Sequence, residues 1–221
     1  MCTPHNLDDK TSCILDAARD TFLEHGFNAA TTDMIQRQAG VSKATLYSRY
    51  PSKENLFIAV VENECRLFND KIEAIRHISG NIREKLYGLG NAYLTLILTP
   101  RFLALFRIII ADASRFPQLA SQFYQVGPRG IINRVIELLA VAAENQEINI
   151  QSVGIENAAI LFVGMLRGEN QLECLTHPNS SPSAARISAW AIHSVNSFYQ
   201  AFGTEDPSGS KLSLLQQITQ P

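Results

Sequence analysis

Apolar residues recur at helical spacing almost throughout this chain, and glycine or proline interrupts the pattern at short intervals. A chain written this way hides its stripes by packing helix on helix. From Thr11 to His25 the stripe is Ile14, Leu15, Ala18, Phe22 and Leu23, stopped by Gly26. Thr31 or Thr32 caps a short second helix with Met34, Ile35 and Ala39 on its inner face, and Gly40 breaks it. Ser42 caps a third that ends near Tyr50, before Pro51. Ser52 opens a long fourth helix, with Phe57, Val60, Val61, Leu67, Phe68, Ile72 and Ile75 as its apolar positions. Further helices are predicted over 82–98, 101–113, 118–124, 128–143, 152–175 and 183–202, separated by Pro100, Pro117, Gly127-Pro128 and the stretch 177–182. Residues 105–110 fit a buried strand by composition alone, and their helical neighbours decide for helix. Residues 147–150 alternate but are too few to count as a strand.

Composition narrows the function classes. With 46% hydrophobic and 18% charged residues, the 221-residue chain is not a mostly disordered one. No apolar run approaches the ~20 residues that span a bilayer. The start, MCTPHNLDDK, lacks a basic region followed by an apolar stretch, so no secretory signal is read and a cytoplasmic location is expected. The four cysteines form no C-x-x-C pair and the five histidines are scattered, which argues against a zinc site and for reduced thiols. There is no G-x-S-x-G, H-E-x-x-H or phosphate loop, so neither an enzyme nor a cofactor is expected.

The informative stretch is residues 31–50, TTDMIQRQAGVSKATLYSRY: a short helix, a turn at Gly40 and a second short helix. Gly40 supplies a turn conformation that costs other residues energy. Leu46 and Tyr50, four apart, share the inward face of the second helix. Lys43 with Tyr47, Ala44 with Ser48, and Thr45 with Arg49 are then left for the outward flanks. Small, hydroxylated or basic groups of this kind suit a helix that enters a major groove, and Ser42 at the helix start suits a phosphate. The net charge of −2 gives no hint of a polyanionic partner, yet residues 31–53 carry +3 and residues 1–30 carry −3.

The stretch from Ile14 to Phe57 resembles the TetR (AcrR-type) family of transcriptional regulators. The resemblance includes Phe22 and Gly26, Thr31-Thr32, Ala39-Gly40-Val41-Ser42, Leu46-Tyr47, Ser52-Lys53-Glu54 and Leu56-Phe57. Arg49 stands where the family usually has histidine, Tyr50 where it has phenylalanine, and Ala44 where glycine is frequent. The resemblance implies that Thr32, Lys43, Tyr47, Arg49 and Lys53 contact the DNA backbone. It places Ser42, Ala44, Thr45 and Ser48 at or beside base edges, where sequence is read.

The fold so expected is all-α: a three-helix helix-turn-helix domain over 8–68, a helical ligand-binding and dimerisation domain over 69–203, and a tail at 204–221. Residues 106–139, with Arg115-Phe116-Pro117 and Gly127-Pro128-Arg129, resemble the C-terminal domain of AefR-like members. Tyr93, Phe102, Phe106, Arg107, Phe123 and Tyr124 are the candidate ligand contacts, with Arg107 and Asp112 either a polar pair in an apolar pocket or a surface pair. Small residues along 152–175 and 183–202 fit a homodimer interface, and two copies would read a pseudo-palindromic double-stranded operator. The function expected is a repressor released by a small apolar ligand. The alternatives are a helical interaction module or a helical enzyme that does not bind DNA.

Overall fold

The computed structural model describes residues 7–77, 80–178 and 181–204, with side chains apart from those of 7–9 and 66–77. The expected tail therefore lies outside the described residues, except Thr204. So do the side chains of Leu67, Phe68, Ile72 and Ile75. The described chain is all-α, with an N-terminal helix-turn-helix bundle and a C-terminal helical body.

The N-terminal bundle comprises α1 (Leu7–Ala29), α2 (Thr32–Ala39), α3 (Lys43–Arg49) and the first half of α4 (Lys53–His77). Helix α1 starts earlier than its apolar stripe and bends at Gly26, whose φ of 73° only glycine adopts without strain. The bend folds Phe27 back into the core. There Phe22, Phe27 and Phe57 form a closed aromatic triad with centroids 5.1–5.8 Å apart, Phe57 edge-on to both others and Phe22 stacked on Phe27. Ile14, Ala18, Ile35, Leu46 and Leu56 close the core around it.

The body contains α5 (Ile82–Ile97), α6 (Pro100–Asp112), α7 (Pro117–Val126), α8 (Pro128–Glu144), α9 (Ile155–Thr176) and α10 (Ala184–Phe202). Proline begins three of these helices because its missing N–H costs nothing there. Asn81 and Glu84 close a reciprocal capping box at the start of α5. Residues 105–110 are helical, inside α6. Helix α5 is central. Its Gly90 lies so close to α9 that a Cβ there would sit 3.0 Å from the Leu166 side chain. Towards α10 it makes polar ties: Tyr87 Oη shares a 2.6 Å hydrogen bond with Ser188, and Arg83 donates to Asn196 at 2.8 Å.

Helix α4 is continuous through the 68/69 division expected from sequence, so it belongs to both halves. A second bridge between the halves is Phe116 of α7, whose ring meets Phe27 at 4.9 Å. Glu64 of α4 adds a third, lying 3.8 Å from Arg19 of α1 and 3.5 Å from Arg101 of α6.

Helix α9 is interrupted at Gly168. Residues 147–150 serve a purpose that their length did not suggest. Ile148 pairs antiparallel with Gly203. Asn149 N–H donates to the Phe202 carbonyl at 2.7 Å, and Thr204 N–H donates to the Glu147 carbonyl at 3.1 Å. The end of α10 is thereby latched to the loop between α8 and α9. Cys65 and Cys174 are buried free thiols. Cys13 is disulfide-bonded, which corrects the expectation of reduced thiols throughout; no spacing motif signalled it. Among the described residues no single helix is long and apolar enough to cross a membrane.

Candidate nucleic-acid interface and body cavity

The turn between α2 and α3 is set by three local devices. Thr31, extended, accepts a hydrogen bond from Met34 N–H at 3.2 Å and so caps α2. Gly40 ends α2 in the left-handed region at φ 66°, and Val41 N–H returns to the Gln36 carbonyl at 3.1 Å. Ser42 then caps α3, accepting from Thr45 N–H at 3.1 Å. Ile35, Ala39 and Leu46 are buried beneath this corner.

What remains outside is the rim that the residue pattern anticipated. Ser42, Lys43, Ala44, Tyr47 and Ser48 are exposed, while Thr32, Thr45 and Arg49 are partly so. The rim is internally tied. Thr32 Oγ1 and Tyr47 Oη share a hydrogen bond of 2.9 Å, so the two helices present one joined hydroxyl pair. Lys43 Nζ lies 3.0 Å from Asp33 Oδ1, whose hydrogen bond and charge push the lysine pKa up. Lys43 is therefore a fixed cation on this face. Ser48 turns its hydroxyl to the Thr45 carbonyl at 3.0 Å. Arg49 donates to Thr11 Oγ1, which draws it sideways onto α1.

Lys53 departs most from its expected position. Its ammonium donates to the carbonyls of Phe27, Asn28 and Ala30 at 2.8, 3.2 and 3.0 Å and lies 4.5 Å from the centre of the Phe27 ring. Burial holds its pKa below the usual lysine value, with Glu54 and Asp112 opposing that shift. In this structure Lys53 serves as a clamp on the end of α1 rather than as an outward cation. The reason is electrostatic: the last carbonyls of a helix lack partners, and a cation satisfies them.

The body encloses a cavity of about 230 Å³ between α4, α5, α6, α8 and α9. Tyr93, Phe102 and Phe106 line it. The other three candidates are not on its wall. Phe123 is buried behind it, edge-on to Phe106 at 5.6 Å, and Tyr124 is exposed. Arg107 donates to the carbonyls of Leu175 and Cys174 at 2.9 and 2.8 Å, closing the end of α9 instead of pairing with Asp112. The cavity's polar groups were missed from sequence: Glu62, Cys65, Arg134, Arg167 and Gln171. One signal was available. Arg167 ends the apolar run 158–166, where a charge has no place unless it faces something polar. Burial pushes both the Cys65 thiol and the Tyr93 phenol up to about 12, so both are neutral wall groups near pH 7. Among the described residues no group of His, Cys, Asp and Glu is placed to hold a metal.

Two family models match the chain. Residues 14–60 match the bacterial regulatory proteins of the tetR family, and residues 84–204 match the C-terminal domain of AefR-like transcriptional repressors. A TetR-family transcriptional regulator from Mesorhizobium loti superposes with a TM-score of 0.76 at 26% identity, covering 89% of this chain and 98% of its own. The flavonoid-responsive regulator FrrA superposes with a TM-score of 0.70 at 30% identity, covering 90% of this chain and all of its own. Among curated proteins, the transcriptional activator FasR of Mycolicibacterium smegmatis is 33% identical over 91 residues, 41% of each chain. The chain thus covers less than half the length of the curated relatives it matches. A helix-turn-helix with an exposed α3 rim, a helical body over α5 to α10, and models that match each half place the chain in the TetR family of bacterial transcriptional regulators.

Proposed function

We propose that this protein is a ligand-responsive repressor that binds DNA in a sequence-specific manner. In this reading residues 8–68 read double-stranded DNA, and residues 69–203 hold the effector and join two copies. The observation that carries it is the exposed rim of Lys43, Ala44, Thr45, Tyr47 and Ser48 on α3, capped by Ser42 and tied to α2 through Thr32. Ala44 and Thr45 suit base edges. Lys43, Tyr47 and Thr32 suit phosphates, which set register without reading sequence. Arg49 adds its charge at the α1 side, and Lys53 acts by fixing the end of α1.

A single α3 reads too few bases, so the reading needs a homodimer with its two α3 helices about 34–36 Å apart on a pseudo-palindromic operator. The outer face of α9 supports one: Leu161, Met165 and Leu172 are exposed there, and Gly164 and Gly168 have open space beside them. Helix α10 adds the exposed Ala185 and Ala189. A small molecule in the cavity releases DNA only if it favours the unbound spacing of the α3 pair over the bound one. Repression is supported by the AefR-like repressor match, and ligand response by the description of FrrA as flavonoid-responsive.

Fluorescence anisotropy with duplex DNA from upstream of the protein's own gene, across a salt series, tests this. The reading expects specific binding whose log affinity falls linearly with log salt. Equal affinity for random duplex would overturn it.

A further inference from the structure

The cavity wall is mostly apolar, but its polar groups are unevenly spent. Glu62 is exposed, so water screens it at the mouth. Arg134 lies 3.4 Å from Glu137 and is already engaged. Arg167 differs. It is partly buried, and no carboxylate pairs with it among the described residues. Its guanidinium carbon lies 5.7 Å from the centre of the Phe106 ring, and its Nε donates to Gln171 Oε1 at 2.6 Å. Gln171 is 5% exposed and also lines the cavity. With its oxygen taken by Arg167, Gln171 has only its NH₂ left to offer, and that group meets no acceptor among the described residues. The terminal NH₂ groups of Arg167 likewise meet none. Donors of both side chains thus gather at one end of an aromatic chamber, and the acceptor is missing.

These donors are not sealed off: the fully buried side-chain atoms without a partner among the described residues belong to Gln36 and Arg83. The spare donors of Arg167 and Gln171 are thus open to an acceptor that enters the cavity, and each has hydrogen bonds left to give. A planar carboxylate answers both, because it accepts two parallel hydrogen bonds from one guanidinium and still has lone pairs for an amide. The rest of the ligand is fixed by the walls. Phe102 and Phe106 offer flat apolar surface. At interior packing density a cavity of 230 Å³ takes a molecule of about 170 Å³, the size of one or two aromatic rings.

We propose that the cavity takes an aromatic carboxylic acid of one or two rings, its carboxylate held by Arg167 and Gln171 and its ring lying against Phe102 and Phe106. The inference rests on the cavity being the effector site.

Isothermal titration calorimetry of the full chain with 2-naphthoate, 2-naphthamide and 2-naphthylmethylammonium tests it. Naphthoate is expected to bind at least tenfold more tightly than the amide, and the ammonium most weakly. Arg167→Met should bring naphthoate down to the affinity of the amide while leaving the amide within threefold of the unmodified protein. Gln171→Leu should cost naphthoate about threefold, and it carries the test if Arg167→Met unfolds, as thermal melts without ligand will show. Leu96→Trp fills the cavity and should abolish binding. If the amide or the ammonium binds as tightly as naphthoate and Leu96→Trp removes both, the acid proposal falls and the cavity reading stands. If no probe binds, or Leu96→Trp binds like the unmodified protein, the cavity reading falls and takes the proposal with it.

Discussion

Lys43 and Lys53 are ten residues apart in sequence and have opposite fates. Lys43 projects into solvent with Asp33 as its neighbour, so removing it should leave the fold intact. Lys43→Ala is expected to weaken DNA binding and lower the salt slope by about 1, with an unchanged melting temperature. Tyr47→Phe, which deletes the hydroxyl joined to Thr32, should weaken binding severalfold, again without unfolding. Anisotropy and thermal melts read both. If either variant unfolds, its side chain supports the fold rather than the interface. Lys53→Met should behave in the opposite way. It strips three carbonyls at the end of α1 of their donor, and chemical denaturation should show a loss of about 1–3 kcal/mol. The sequence made the outward position of Lys43 legible, because Leu46 and Tyr50, four apart, mark the inward face of the same short helix. It hid the clamp made by Lys53, whose acceptors are 23 to 26 residues away. Arg107 was hidden for the same reason, since its carbonyls are 67 and 68 residues distant.

Among elements, those bounded by short-range chemistry were read correctly. Thr31, Gly40, Ser42 and the prolines at α6, α7 and α8 act within one turn of themselves, so their helices begin and end close to where the pattern places them. The pairing of residues 147–150 depends on Phe202, Gly203 and Thr204 more than fifty residues away, which no local pattern records. Gly40 gives the sharpest local test. A Cβ there would touch nothing within 4 Å, so Gly40→Ala carries only the cost of its left-handed backbone. That cost is about 1–2 kcal/mol, measurable by denaturant titration, and the damage should be confined to the α2–α3 corner. Helices α4 and α5 bring Cys65 and Tyr93 together at the cavity. Each keeps its proton in the folded state to about pH 12, whereas the unfolded groups release theirs from about 9 and 10. Above pH 9 the folded state therefore binds more protons than the unfolded one, and stability falls as pH rises. Melting temperatures should drop steadily between pH 9 and 11, and Cys65→Ala should remove part of that slope.

At the scale of the molecule, two copies are needed for two α3 helices to meet one operator. Leu161→Lys places a charge on the exposed apolar face of α9, where the monomer tolerates it and a partner does not. Light scattering should show a shift from dimer to monomer, with DNA affinity lost in step and the melting profile of the monomer intact. A dimer of unaltered mass would move the interface elsewhere. The body that carries this face owes its closure to three residues near the end of the described chain: Phe202, Gly203 and Thr204 are laced to the loop that launches α9. The last helix is consequently anchored at its far end as well as along its side. Shortening the protein to residue 204 keeps each of these bonds, whereas stopping at 201 would unpick the seam and loosen the turn from which α9 sets out.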